Sequence, residues 1–218
     1  EVIDILCPGA QPPEGAFLSI EGLDGSGKST QIAKLTENLE IFGFEVVHSR
    51  EPGGCPTSEK IRDLLLDKGN TGMDDVTEAL LFAAARAQHV REVIRPVIAS
   101  GKVLLSDRFV DSSVAYQGGG RQLGVDRVLA INAPAVDGTL PCVTVYLDID
   151  CRTSLRRRMN ASEPDRLEME AARVEEAYHD LIRRDPERFV VTDATRTPEE
   201  IAKDVRERVL KKLMEAET

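Results

Sequence analysis

Gly22-Leu23-Asp24-Gly25-Ser26-Gly27-Lys28-Ser29 fits G-x-x-x-x-G-K-[ST], with a short apolar run before it and a helical pattern after. The spacing suits a triphosphate. Gly22, Gly25 and Gly27 let the backbone curl until successive N–H groups face phosphate oxygens, with Asp24 and Ser26 between them. The helix opening at Lys28, Ser29 and Thr30 offers its unpaired first-turn N–H groups to the same anion. Lys28 can neutralise the β- and γ-phosphates, and the Ser29 hydroxyl can ligate Mg²⁺. Leu104-Leu105-Ser106-Asp107 is an apolar run closing on an acid, where a carboxylate would meet the Mg²⁺ shell. The plainer use of Asp107 is to cap the next turn.

A second group has chemistry for another ligand. Phe82 and Arg86 lie four apart on a predicted helix, hence on one face about 6 Å apart. Such a pair can stack on a pyrimidine and hydrogen-bond its carbonyl, although a Phe in an Ala-rich helix also serves as plain core. Arg50 and Arg108 follow predicted strands, and two guanidinium forks there can clamp a phosphate. Surface ion pairs are the competing fate of a lone Arg. Arg152, Arg156, Arg157, Arg158 and Arg166 crowd one short basic segment, and Asn160–Pro164 reads as a loop. A basic loop near a triphosphate resembles a lid supplying Arg to the transferring group; a solvated helix face is the alternative.

These residues need elements to place them. Phe17–Ile20, Phe44–Val47, Val103–Leu105, Val143–Ile149 and Phe189–Val191 read as strands. Helical patterns cover Lys28–Phe42, Thr57–Asp67, Asp74–Ala99 (kinked or ended by Pro96), Ser154–Met159, Glu168–Arg184 and Pro198–Met214. Strands separated by helices require crossovers, which predicts an α/β fold with a mainly parallel five-stranded sheet and helices on both faces. In such sheets ligands sit beyond the carboxyl ends of the strands, where the residues above fall.

Composition narrows the rest. The 218 residues suit one domain, taken as 16–214 with a mobile lid at about 152–167 and an N-terminal extension at 1–15. A net charge of −10 argues against a nucleic-acid-coating protein. No apolar run approaches the roughly 20 residues of a membrane span, and residues 1–15 lack a signal-peptide pattern, so a soluble, cytoplasmic chain is expected. Cys7, Cys55, Cys142 and Cys151 are scattered and the three histidines form no H-E-x-x-H, which disfavours zinc, a disulfide framework and a thiol nucleophile. A guanine-reading N-K-x-D is also absent.

The motifs in order resemble the bacterial thymidylate (dTMP) kinases with a basic lid. They are Ile20–Thr30, Arg50-Glu51-Pro52-Gly53-Gly54, Leu81–Arg86, Asp107-Arg108-Phe109, Ser112–Gly118, the segment to Asp165-Arg166, and Asp193-Ala194. The resemblance implies a P-loop kinase fold, Mg-ATP as donor, dTMP as acceptor and a homodimer. It makes Phe82 and Arg86 the thymine-stacking and base-reading pair, with Ser113 and Gln117 bonding the thymine edge. It places Tyr116 against the sugar 2′ position and Asp24 near the 3′-hydroxyl. Ser112 and Ser113 otherwise read as helix-start caps. With no basic residue among Leu23, Asp24, Gly25 and Ser26 of the phosphate loop, lid arginines (Arg157 or Arg158, with Arg166) are expected at the transferring phosphoryl group beside Lys28 and Arg108. Phe109, Cys55 and Cys142 depart from the usual Tyr, Thr and Asp, with effects expected on packing alone. Rival readings are another nucleoside monophosphate kinase, a deoxynucleoside kinase with Glu21 or Asp107 as base, and a regulatory module that hydrolyses ATP slowly.

Overall fold

The computed structural model describes residues 15–158 and 164–215, with side chains for 15–157 and 169–214. Its strands are β1 (Ala16–Gly22), β2 (Val46–Arg50), β3 (Val103–Asp107), β4 (Val143–Asp148) and β5 (Phe189–Asp193). They form one sheet in the order β2-β3-β1-β4-β5, with every pairing parallel. The central strand β1 is buried along its whole length, and its residues divide between two cores. Leu18 and Ile20 join Leu35, Leu39, Val205 and Val209 on helices α1 (Lys28–Ile41) and α9 (Pro198–Glu215). Phe17 joins Leu104, Val90 and Ile94. Alternation along the strand thus covers both faces.

The second strand lies later than its apolar residues imply. The predicted Phe44–Val47 is replaced by Val46–Arg50, since backbone pairing runs from Val46↔Val103 to Arg50↔Asp107. As an edge strand it tolerates the polar run His48-Ser49-Arg50, which carries no hydrophobic signal. Arg50 therefore ends β2 beside Asp107.

The long helical pattern also divides differently. Helix α3 (Asp75–His89) runs into a π-helical turn, Val90–Ile94, before α4 (Arg95–Ala99). Pro96 sits in the first turn of α4, so the interruption falls upstream of it. The wider turn accommodates a ring that would otherwise clash with the carbonyl four residues before. Helix α5 (Val110–Ser113) likewise opens into a π-helical segment, Val114–Gly120. Helix α6 (Val125–Val136) has no counterpart in the expectations: Gly124 precedes it without a side-chain cap and Pro134 lies inside it. Helices α2 (Pro56–Leu66), α7 (Cys151–Arg158) and α8 (Pro164–Arg184) complete the set. Cys55 and Cys142 are free thiols, and Cys7 lies outside the described residues.

Candidate active site

The phosphate loop leaves the end of β1 in a shape its residues dictate. A Cβ on Gly22, at φ +145°, would stand 2.8 Å from Ser26 Oγ and 2.9 Å from the Leu147 carbonyl. Ser26 N–H donates to the Leu23 carbonyl at 3.1 Å, and Gly27, left-handed at φ 97°, starts α1. Lys28 Nζ donates to the carbonyls of Gly22 and Leu23 at 3.1 and 3.0 Å, lying across the loop. Burial, then the charge of Arg108, lowers this ammonium to about 8, against the pull of Asp24, Asp107 and Glu21. Ser29 and Thr30 are exposed at the start of α1. Ser26 Oγ and Asp107 Oδ1 are buried with no protein partner, polar atoms suited to a ligand or its ion. No group of three or more His, Cys, Asp or Glu able to hold a metal occurs among the described residues. Mg²⁺ does not ask for one, since it takes one or two carboxylates, water and substrate phosphates. The Ser29 hydroxyl and the unpartnered Asp107 oxygen fit that donor set.

A cleft of about 490 Å³ opens beside the loop. Its wall contains Asp24, Arg50, Phe82, Arg86 and Arg108, together with Ser112, Ser113, Tyr116 and Gln117. Asp107 also lines it. The chain therefore brings together every residue assigned above to the acceptor.

Arg108 is the most constrained of them. Its backbone is left-handed at φ 70°, a conformation that costs a non-glycine residue about 1–3 kcal/mol and must be held by its surroundings. Its Nη2 donates to Asp24 Oδ1 at 2.7 Å and its Nη1 to Ser112 Oγ at 2.9 Å. The guanidinium carbon lies 5.0 Å from the Tyr116 ring centre. Behind it, fully buried Glu21 accepts from the Phe109 N–H (2.6 Å), the Ser112 hydroxyl (2.6 Å) and the Tyr178 hydroxyl (2.8 Å). Burial first, and Asp111 second, raise the Glu21 carboxyl to about 7 despite Arg108 and these hydroxyls.

Arg86 is 2% exposed and almost saturated. Nε donates to Glu51 Oε2 at 2.7 Å, Nη2 to the Phe109 carbonyl at 3.1 Å, and Nη1 to Ser113 Oγ at 3.1 Å and to Asn132 Oδ1. Four of its five N–H groups are thereby committed, leaving one on Nη2 for a ligand. Glu51 also receives His89 Nδ1 at 2.9 Å. Arg50 lines the cleft while Nη2 spans both Glu59 oxygens at 3.0 Å. The Phe109 side chain packs as its sequence implies, while its backbone does more. It is fully buried against Phe17, and its peptide groups hold Glu21 and Arg86.

On the donor side, Ser154 Oγ of α7 donates to the Asp24 carbonyl at 2.6 Å. Arg157 Nη1 donates to the Ala194 carbonyl at 3.0 Å, so it faces the loop after β5. The side chains of Arg158 and Arg166 lie outside the described residues. Residues absent from the expectations also reach the cleft: Arg62 (donating to the Pro52 carbonyl at 2.6 Å), Glu78 and Arg121. Glu78 had a signal, standing four residues before Phe82; Arg62 had none.

A phosphate loop at the end of a parallel sheet, facing a cleft with an aromatic wall and arginines, defines a P-loop nucleotide phosphotransferase. Residues 20–205 match the thymidylate kinase family. The chain belongs to that family. Thymidylate kinases of Levilactobacillus brevis and Halothermothrix orenii are each 47% identical to it, covering 86% and 89% of this chain and 91% and 96% of their own lengths. The crystal structure of thymidylate kinase from Ehrlichia chaffeensis superposes with a TM-score of 0.74 at 31% identity, covering 89% of this chain and 98% of that one.

Proposed function

We propose that the chain transfers the γ-phosphoryl group of Mg-ATP to dTMP, giving ADP and dTDP for dTTP synthesis. The observation that carries this reading is the shared cleft. Asp24 of the phosphate loop meets Arg108 at 2.7 Å, and Arg108 stands over Tyr116 in the cavity that Phe82 and Arg86 line.

The nucleophile is an oxygen of the acceptor phosphate, whose second pKa near 6 leaves it largely dianionic at pH 7, so no general base is needed. Catalysis then rests on holding two repelling polyanions in line and offsetting their charge. Lys28 leaves the Gly22 and Leu23 carbonyls for the β/γ oxygens, and the loop N–H groups orient them. Arg108 and Arg50 exchange Asp24 and Glu59 for the acceptor phosphate. Phe82 stacks on the base, the free Arg86 N–H meets its carbonyl, Ser113 and Gln117 bond its edge, and Tyr116 crowds the 2′ position. Ser29 and Asp107 hold Mg²⁺, which when bound spreads charge over the β- and γ-phosphates. Arg157, Arg158 and Arg166 serve the donor side as a lid over 152–167. The chain acts as a cytoplasmic homodimer of one domain, 16–214, without a nucleic-acid or membrane partner; no described helix is long and apolar enough to cross a membrane.

Glu21 is a poor base for a nucleoside hydroxyl, since it already accepts three hydrogen bonds and is not part of the cleft wall. The test is ADP release from Mg-ATP with dTMP, dUMP, UMP and thymidine, plus a tube without acceptor. Strict dependence on dTMP, weaker turnover with dUMP and negligible turnover with UMP are expected. Thymidine as the preferred acceptor, or equal release without any acceptor, would end this reading.

A further inference from the structure

Helix α3 presents one stripe to the cleft: Glu78, Phe82 and Arg86, each four residues from the next. Phe82 and Arg86 offer a ring and a donor. Glu78 offers only lone pairs, and its Oε1 accepts from Gln117 Nε2 at 2.8 Å. A carboxylate oxygen cannot receive a hydrogen bond from a carbonyl, so the amide has one permitted orientation: NH₂ toward Glu78, carbonyl away from it. Gln117 is 4% exposed in the cleft wall, and no other hydrogen bond holds its amide among the described residues. Arg121 Nε lies 3.5 Å from the same Glu78 oxygen and its Nη1 2.7 Å from Glu170, so the partly exposed carboxylate of Glu78 has its charge offset in place.

We infer that Glu78 is a specificity-determining positioning residue: by fixing the Gln117 amide it makes that wall a hydrogen-bond acceptor and selects pyrimidines with an N–H at ring position 3. The inference rests on the pyrimidine reading of the cleft. Thymine and uracil present carbonyl, N–H, carbonyl along that edge, and cytosine presents amino, bare nitrogen, carbonyl. The Arg86 guanidinium only donates, so it already disfavours the amino group. Gln117 alone would not discriminate, because a free amide turns its NH₂ toward a bare nitrogen as readily as its oxygen toward N–H. Glu78 removes the second option, and a cytosine would then leave two buried groups unpaired.

The experiment compares kcat/KM for dTMP, dUMP and dCMP in the wild type, Glu78→Met and Glu78→Gln. Methionine keeps the length of the side chain and helix propensity but accepts no useful hydrogen bond; glutamine keeps an oxygen where Oε1 stands. The dTMP:dCMP ratio is expected to fall by roughly tenfold or more in Glu78→Met, about the worth of one hydrogen bond, and to recover in Glu78→Gln. The dTMP:dUMP ratio should hold, because the two bases share this edge. A ratio of acceptors does not depend on how much enzyme is folded, and Glu78→Ala carries the same expectation should the methionine variant not fold. In a Gln117→Ala background Glu78→Met should change the ratio no further. An unmoved dTMP:dCMP ratio, a parallel loss on all three acceptors, or an undiminished effect without Gln117 would overturn the inference. A wild type inert toward dTMP would remove the reading beneath it, whereas an active wild type with unmoved ratios removes the Glu78 role alone.

Discussion

Glu21 and Lys28 both feel the charge of Arg108, and burial pushes each toward neutrality. For Glu21 the sign of the consequence follows from linkage. Its carboxyl rises from 4.5 to about 7 in the fold, so its contribution to stability is complete below about 4.5 and is lost as pH climbs through 7. Glu21→Gln cannot ionise. Its melting temperature relative to the wild type should therefore rise between pH 5 and pH 8; a flat difference would mean that the three donors, not burial, govern the group. On the proposed reaction Lys28 bears on turnover, because removing its ammonium would leave the β/γ charge uncompensated inside the loop. Lys28→Ala should lose roughly 10³-fold or more in kcat, as expected for a group acting on a transferring phosphoryl, with an unchanged circular dichroism spectrum. Wild-type-like turnover would end that role.

Between the elements, Asp111 ties α5 to the start of β5. It is 1% exposed and accepts from Arg188 Nη1 and Nη2 at 2.7 and 2.9 Å, just before β5. Arg188→Ala would leave that carboxylate buried with only the Thr144 hydroxyl, 3.5 Å away, beside it, at a cost of about 3–5 kcal/mol in urea denaturation. Asp111→Asn in the same chain should restore much of the loss; no recovery would show that Arg188 acts through its packing on Phe189. What was legible in the sequence divides at the same scale. The phosphate loop, the Phe82–Arg86 face and Asp107-Arg108 could be read because each is a contiguous run at a strand end or on one helix face. The contacts that complete them could not. Arg86 meets Asn132 across 46 residues and Gln117 meets Glu78 across 39, and α6, which carries Asn132, begins at an uncapped glycine and contains a proline. The edge strand β2 hid for another reason, its end being specified by backbone pairing to β3 and not by apolar side chains.

Taken whole, the molecule is acidic, at −10, yet the cleft is lined by Arg50, Arg62, Arg86, Arg108 and Arg121. Asp24, Glu51, Glu59 and Glu78 hold four of those guanidinium groups in place, and Arg62 donates to the Pro52 carbonyl. Five arginines against Asp24, Glu51, Glu78 and Asp107 leave the cleft wall at a net +1 in a chain of −10, so a small dianion meets a less repulsive field there than a polyanion meets over the whole surface. This arrangement makes a thermodynamic demand on the entire chain. A ligand that binds only the folded state at a hundredfold its Kd stabilises it by about 2.7 kcal/mol, a rise of roughly 5–11 °C for a protein of this size. Thymidine has the same base and sugar as dTMP but nothing for Arg50 and Arg108 to hold. At equal concentration dTMP should therefore raise the melting temperature well above the value with thymidine, and added salt should narrow the gap by screening the phosphate. Equal shifts from the two compounds would mean that the arginines stay with Asp24 and Glu59 when the cleft fills, and that the base alone is bound.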